Sequence, residues 1–168
     1  MSKLVPASAS AVVVAPGLAL RPWLEPDWQR LWLATHSKES AWRSMALVPG
    51  CRDMPAHFME KAATSLSRSG MTHLGQAIHV ADATKVRLDD LNEFLAEVAH
   101  CTARAGNRVV IALAALDENV TSVSIAQQVD CALLCVLRGR TDSGALKRTV
   151  RDVGASRFLG SVMFDGLA

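Results

Sequence analysis

The sequence predicts an α/β fold in which a parallel sheet of five or more strands, Rossmann-like in its layering, carries helices on both faces. Five short apolar runs without strict alternation are typical of strands buried on both sides. These runs cover residues 44–49, 77–81, 108–115, 131–137 and 157–164. Their starts lie roughly 23 to 33 residues apart, which fits repeated units of strand, crossover helix and parallel strand.

Helices are predicted in nearly every gap from apolar side chains at helical spacing. A first helix begins at Pro26, because proline is favoured at an early helical position. The apolar stripes of the four predicted helices are Trp28, Leu31 and Trp32; Phe58, Ala62 and Leu66; Leu88, Leu91, Leu95 and Val98; and Leu146, Val150 and Val153. Gly70 and Gly154 are predicted to close the second and the fourth helix.

The length of 168 residues and the hydrophobic fraction of 50% predict one domain with its own core. Residues 1–22 are small and proline-marked, and we expect a flexible N-terminal arm with one short strand within residues 11–15. Residues 23–168 then form the single domain. A stretch at residues 11–20 is the only signal-like segment, and Pro16 and Gly17 interrupt it, so a cytoplasmic location is predicted.

Charge and cysteine usage narrow the classes of function. The chain has 18 Lys+Arg against 16 Asp+Glu and no basic block, so no nucleic-acid partner is expected. The four cysteines, Cys51, Cys101, Cys131 and Cys135, form no Cys-x-x-Cys pair and are predicted to be buried, reduced thiols. The five histidines share no ligand spacing, so no metal site is predicted.

The segment after the first predicted core strand has the strand, turn and helix context of a phosphate-binding loop. Counting from Gly50 in the pattern G-x-x-x-x-G-K-[ST], the last three positions are Pro55, Ala56 and His57. Pro55 lacks a backbone N–H, Ala56 lacks an ammonium group and His57 replaces the magnesium-binding hydroxyl. No cofactor is therefore expected, although Arg52 and His57 could hold an anion weakly at the helix N-terminus.

Other strand ends offer few polar groups. Ala112 stands where a magnesium-associated Asp would end the strand at residues 108–115. Asp82 follows the preceding strand, and with Asp130 it forms a candidate residual polar site. The alternative for Asp82 is that it caps the local turn.

Taken together, these runs resemble the deviant-Walker P-loop ATPases over about residues 25 to 166. Within that group they look like the cytoplasmic domain of bacterial tyrosine kinases that regulate capsular and exopolysaccharide export. The best stretch, residues 124–163, is similar to the family's "ia..aD" turn, apolar strand, "g.T" turn, helix and "lG.V.n" strand. Asp27-x-x-Arg30 resembles the Glu-x-x-Arg element through which such kinases form rings, and a helix-surface ion pair is the alternative.

The departures from the family predict a pseudoenzyme that is no kinase or ATPase, and the chain contains no Tyr. The resemblance then implies a regulatory or assembly protein, peripheral at the inner membrane. Its partner would be a polysaccharide-export or chain-length protein, or a second copy of the chain. The candidate interface is Asp27, Trp28, Arg30 and Trp32, since Trp is enriched at interfaces, with core packing of the tryptophans as the alternative.

Two other functions remain open from the sequence. One is a working ATPase of the spatial-positioning type, with an atypical loop and a nucleotide held across a dimer. The other is a division inhibitor built on a recombinase-like sheet without a P-loop, supported only by the chain length and the run at residues 28–33.

Overall fold

The computed structural model describes residues 11–13, 26–36 and 41–166. The strands are β1 (Ala11–Val13), β2 (Ser44–Pro49), β3 (Ile78–Asp82), β4 (Arg108–Ala112), β5 (Cys131–Leu137) and β6 (Phe158–Phe164). They form one parallel sheet in the order β1-β6-β5-β2-β4-β3. The predicted sheet of five or more strands is confirmed, and each of the five apolar runs contributes one strand.

Helices cover both faces of this sheet, as predicted. They are α1 (Pro26–Thr35), α2 (Ala56–Leu74), α3 (Leu91–Ala103), α4 (Thr121–Gln128) and α5 (Ser143–Val153). The side chains of α1 and α2 pack on one face, and those of α3, α4 and α5 pack on the other. Within β4 the two faces alternate, so Val110 contacts the first layer and Ile111 the second.

The helix α4 was not predicted, because residues 124–130 were interpreted as a turn. Its sequence is rich in Ser, Thr and β-branched residues, which have modest helix propensity. The helix forms because Ile125 and Ala126, both 0% exposed, are buried against the sheet. Tertiary packing overrides a weak local preference here.

The prediction that Gly70 ends α2 was wrong. The helix continues to Leu74 and is closed by Gly75, whose φ of 65° lies in the left-handed region. A Cβ atom on Gly70 would lie 2.6 Å from ring atoms of Trp32, so this glycine lets α1 approach α2 closely. Gly154 does close α5, as predicted.

The strand β1 lies at one edge of the sheet, with Ala11 opposite Val162 and Val13 opposite Phe164 of β6. The short strand predicted within residues 11–15 is therefore confirmed. The remainder of the proposed arm, residues 1–10 and 14–22, lies outside the described residues. Among the helices that are described, none is both long enough and apolar enough to cross a bilayer.

Candidate functional site

A cleft of about 540 Å³ opens at the carboxyl ends of β2, β4 and β5. Its walls come from the loop after β2, the loop after β4, and the turn that leads from β5 into α5. The charged side chains that line it are Arg52, Asp53, Asp117, Arg140, Asp142, Arg148 and Asp152. This is the edge at which an open parallel sheet places its ligands.

Gly50 anchors the loop after β2 to the neighbouring strand. Its N–H donates a hydrogen bond of 2.7 Å to the carbonyl oxygen of Cys135. A Cβ atom here would lie 2.7 Å from Cδ2 of Leu146 and 3.0 Å from that same carbonyl, so only glycine fits without a shift. Gly50 thus stands where a phosphate loop would begin, but its N–H is used inside the protein.

The loop then leads into α2 at the expected place. The helix begins at Ala56, and Pro55 precedes it with an extended backbone (φ −70°, ψ 157°) and no side-chain cap. The carbonyl of Pro55 accepts hydrogen bonds from the N–H groups of Phe58 and Met59, at 3.0 and 3.2 Å. Ala56, the predicted lysine position, is therefore the first residue of α2.

Arg52 is paired with an acidic residue across the cleft. Its Nε lies 2.7 Å from Oδ2 of Asp117, which belongs to the loop after β4. His57 is exposed, and it does not line the cleft. The predicted anion site of Arg52 with His57 is therefore not assembled here, because Asp117 takes the guanidinium.

Asp117 was missed in the sequence, together with Arg140 and Arg148. Asp117 follows β4, Arg140 follows β5 and Arg148 lies in α5, and no motif singles out these three residues. Only their position beyond the carboxyl ends of β4 and β5 could have indicated them.

Ala112 lies at the end of β4, at the predicted position of a magnesium-associated Asp. Ala112 is 0% exposed and packs in the core layer of α1 and α2. Beside it in the sheet is Asp82, whose Oδ1 accepts hydrogen bonds from the N–H and Oγ1 of Thr84, at 2.9 and 2.6 Å. The turn-capping alternative for Asp82 is thus confirmed.

The carboxyl of Asp82 also interacts with Glu60 of α2. Burial opposes ionisation of Asp82, but the hydrogen bonds from Thr84 outweigh it and hold the pKa of Asp82 below its ordinary value. The hydrogen bond and the negative charge of Asp82 raise the pKa of Glu60. Over residues 26–36 and 41–166, no group of three or more His, Cys, Asp or Glu side chains is placed to hold a metal ion.

Asp130 lies at the opposite end of the sheet, which corrects its assignment to a residual polar site with Asp82. Its Oδ2 accepts hydrogen bonds from the backbone N–H groups of Arg43 (2.7 Å) and Ser44 (2.9 Å). Its own N–H donates to Oγ of Ser44 at 3.1 Å. Asp130 therefore joins the start of β5 to the start of β2 and has a structural role.

The proposed interface on Trp28 and Trp32 was also wrong. Each side chain is 1% exposed: Trp28 packs 6.1 Å from the ring of Phe164 and Trp32 lies 5.7 Å from the ring of Trp42, so the core-packing alternative is confirmed. Apolar burial outweighs any preference of Trp for interfaces, because a buried large side chain contributes roughly 1.5–3 kcal/mol.

The polar pair on α1 is a helix-surface ion pair. Nη1 of Arg30 lies 3.3 Å from Oδ1 of Asp27, three residues earlier. The same helix exposes Leu33, whose side chain is 54% accessible. Of the candidate interface, Asp27 and Arg30 are thus accessible, and Leu33 lies beside them on α1.

All four cysteines are free thiols, as predicted, but only Cys131 and Cys135 are buried, whereas Cys51 and Cys101 are partly exposed. Burial raises the pKa of Cys131 and of Cys135, so neither thiol ionises at neutral pH. Cys51 lies at the cleft, where its sulfur accepts a hydrogen bond from Oγ1 of Thr141 at 3.3 Å.

The strand order and the cleft define the architecture: an α/β domain with a parallel sheet, in which the central strand β2 leads through a tight loop into the helix α2. Ala56 and Ala112 remain the predicted positions of a phosphate-binding lysine and of a strand-end Asp.

Among solved structures, the chain is similar to the BceF tyrosine kinase domain. The TM-score is 0.62, and the match covers 94% of this chain and 84% of that chain at 14% sequence identity. No protein-family model and no curated protein matches the chain. At this level of identity the likeness shows the fold, and it confirms the predicted kinase-domain architecture.

Proposed function

We propose that this protein is a non-hydrolysing relative of the P-loop kinases that acts through protein contacts, as a regulatory or assembly protein of bacterial exopolysaccharide synthesis or export. The observation that carries the proposal is the loop between β2 and α2. It has the position and length of a phosphate loop, yet Ala56 starts the helix where lysine is required, and the N–H of Gly50 is bonded to Cys135.

The magnesium side of the site supports the same proposal. Ala112 offers a buried methyl group where a carboxylate would hold the ion's hydration shell. Arg52, a cation within this loop, forms its ion pair with Asp117. Binding of Mg·ATP would have to break this pair and would find no ammonium group to neutralise the β and γ oxygens.

A protein of this fold that performs no phosphate chemistry acts through contacts on its surface. The kinase-domain likeness and the sequence resemblance support a partner among polysaccharide-export or chain-length proteins at the inner membrane, or a second copy of the chain. On α1, Leu33 together with Asp27 and Arg30 offers an accessible apolar residue beside paired charges. This face is our candidate contact surface.

The proposal is tested by restoring the loop. We expect the wild-type protein to show neither calorimetric binding of Mg·ATP nor turnover. A variant with Pro55→Gly, Ala56→Lys and His57→Ser returns the N–H, the ammonium and the hydroxyl, and is expected to gain nucleotide binding. Its control carries Pro55→Gly and His57→Ser with Ala56 retained, and should not bind. Hydrolysis by the wild-type protein would contradict the proposal.

A second function, an ATPase with an atypical loop, is favoured by one observation: Arg52, Arg140 and Arg148 line one cleft. It predicts that Mg·ATP binds to the wild type and that Arg52→Ala abolishes turnover. The same calorimetric and hydrolysis measurements separate the two functions.

A further inference from the structure

Three basic side chains from three different elements lie together at the amino end of the sheet, away from the cleft. His36 directly follows α1, His73 is in the last turn of α2, and Arg108 is the first residue of β4. The rings of His36 and His73 are 6.1 Å apart, edge to face. We call these three residues the basic cluster.

Buried aromatic rings fix the geometry of the basic cluster. Trp32 stacks on His36 at 5.4 Å, and Trp42 lies 5.7 Å from Trp32. The guanidinium carbon of Arg108 sits 4.8 Å above the Trp42 ring. Because both tryptophans belong to the core, His36 and Arg108 are held on a rigid base, half-buried, with His73 exposed beside them.

Two nitrogen atoms of the basic cluster are buried without a hydrogen-bond partner. They are Nδ1 of His36 and Nη1 of Arg108. An unpaired buried polar group costs roughly 1–3 kcal/mol, and more when it is charged. The Trp42 ring attracts the guanidinium through a cation–π contact, but a ring face offers no oxygen to accept these hydrogen bonds.

The charge of the basic cluster is also unbalanced. Burial lowers the pKa of His36, and the positive charges of Arg108 and His73 lower it further. Burial likewise lowers the pKa of Arg108, and only the Cys131 thiol opposes this effect. No carboxylate of the described chain contributes to either pKa. The carboxylate of Asp130 is used by backbone N–H groups of Arg43 and Ser44.

We propose that the basic cluster binds an oxyanion of the phosphate class. A tetrahedral anion presents several acceptor oxygens in different directions, which suits donors that arrive from α1, α2 and β4. The planar guanidinium of Arg108 can bind two of those oxygens in parallel. The exposed His73 leaves one side open, so the anion is either free phosphate or the phosphate group of a small ester.

This site is independent of the proposed loss of nucleotide chemistry, because it lies at the other end of the strands. It requires neither Gly50 nor Arg52. Binding should strengthen as pH falls below about 6.5, the ordinary pKa of histidine, since protonation of His36 adds a positive charge and a hydrogen-bond donor. The groups that face His36 are His73 from α2 and Arg108 from β4, and both favour an anion between them.

Calorimetric titration with inorganic phosphate, and in parallel with a small phosphate monoester, tests the site on the full chain at pH 6 and pH 8. We expect saturable binding that is tighter at pH 6 and at least about tenfold weaker in Arg108→Met. Arg52→Met removes the same charge at the cleft and should bind as the wild type does. Tighter binding of the ester than of phosphate identifies an ester as the ligand, and equal binding identifies the free anion.

Side-chain NMR of the histidines supplies a readout that does not depend on the stability of one variant. Phosphate should raise the pKa of His36 in the wild type, and His36→Gln should weaken binding while Arg108→Lys retains part of it. Absence of saturable binding, or equal loss in Arg52→Met and Arg108→Met, overturns the proposal.

Discussion

Basic side chains at the two ends of the sheet differ in whether they have hydrogen-bonding or ionic partners. At the carboxyl end, where an open α/β sheet places its ligands, Arg52 is paired with Asp117 and the cleft mixes arginines with aspartates. At the amino end, His36 and Arg108 each keep a buried nitrogen without an acceptor. At the end expected to bind anions, Arg52 has an acidic partner, whereas at the end with no expected role Arg108 has none among the described residues.

This difference separates fold from site. At the carboxyl end, the loop after β2 is held by packing, because Gly50 packs against Leu146 and its N–H bonds to the carbonyl of Cys135. Packing alone is enough to preserve such a loop. Unbalanced charge at the amino end has no comparable packing reason, so a bound ligand is the explanation to test.

The largest expected effect is that of Asp130→Ala, which tests whether the hydrogen bonds of Asp130 stabilise the amino end of the sheet. The change leaves the N–H groups of Arg43 and Ser44 without their acceptor, and we expect the free energy of unfolding to fall by about 1–2 kcal/mol. Chemical denaturation measures this loss. Asp130→Asn retains an acceptor oxygen and should lose less; an equal loss in both variants would show that charge, and not the hydrogen bonds, is responsible.

A smaller effect is expected from pH in anion-free buffer. Because the pKa of His36 is lowered in the folded protein, the unfolded chain binds this proton more readily. Stability should therefore decline as pH falls through about 6.5 and level off below the folded-state pKa. Melting temperatures of wild type and His36→Gln across this range check the prediction. A decline of the same size in His36→Gln would assign the effect to other groups.

The smallest effect belongs to the carboxyl end. Arg52 and Asp117 have side chains that are 66% and 58% exposed, and exposed ion pairs contribute between about 0 and 1 kcal/mol. Arg52→Ala should therefore change the free energy of unfolding by less than about 1 kcal/mol, measured by the same denaturation. A loss as large as that of Asp130→Ala would mean that the pair holds the two loops together structurally, and the comparison between the ends would fail.

The strands were predictable because buried parallel strands are continuous apolar runs, as in β2 and β5. The helix α4 was not, since Thr121–Gln128 has weak helix propensity and depends on burial of Ile125. Gly70 was misassigned for a related reason: local sequence shows a glycine but not the Trp32 ring packed against it.

The candidate sites divide in the same way. Motif spacing located the loop at Gly50 and the alanines at 56 and 112, because that spacing is local. It could not find Asp117, which is 65 residues from Arg52, or bring His36 and His73 to Arg108. Such pairings arise from strand order. Asp130 was assigned to the wrong end of the sheet, because it precedes β5 whereas Asp82 ends β3.

The thiol of Cys51 has a practical consequence. Cys131 and Cys135 are buried and resist ionisation, while Cys51 is only partly buried and lies in the wall of the cleft. Once Cys101 is replaced by serine, a fluorophore attached to Cys51 would act as a spectroscopic probe of that wall. Its emission could then record, in the native chain, any molecule that enters beside Arg52.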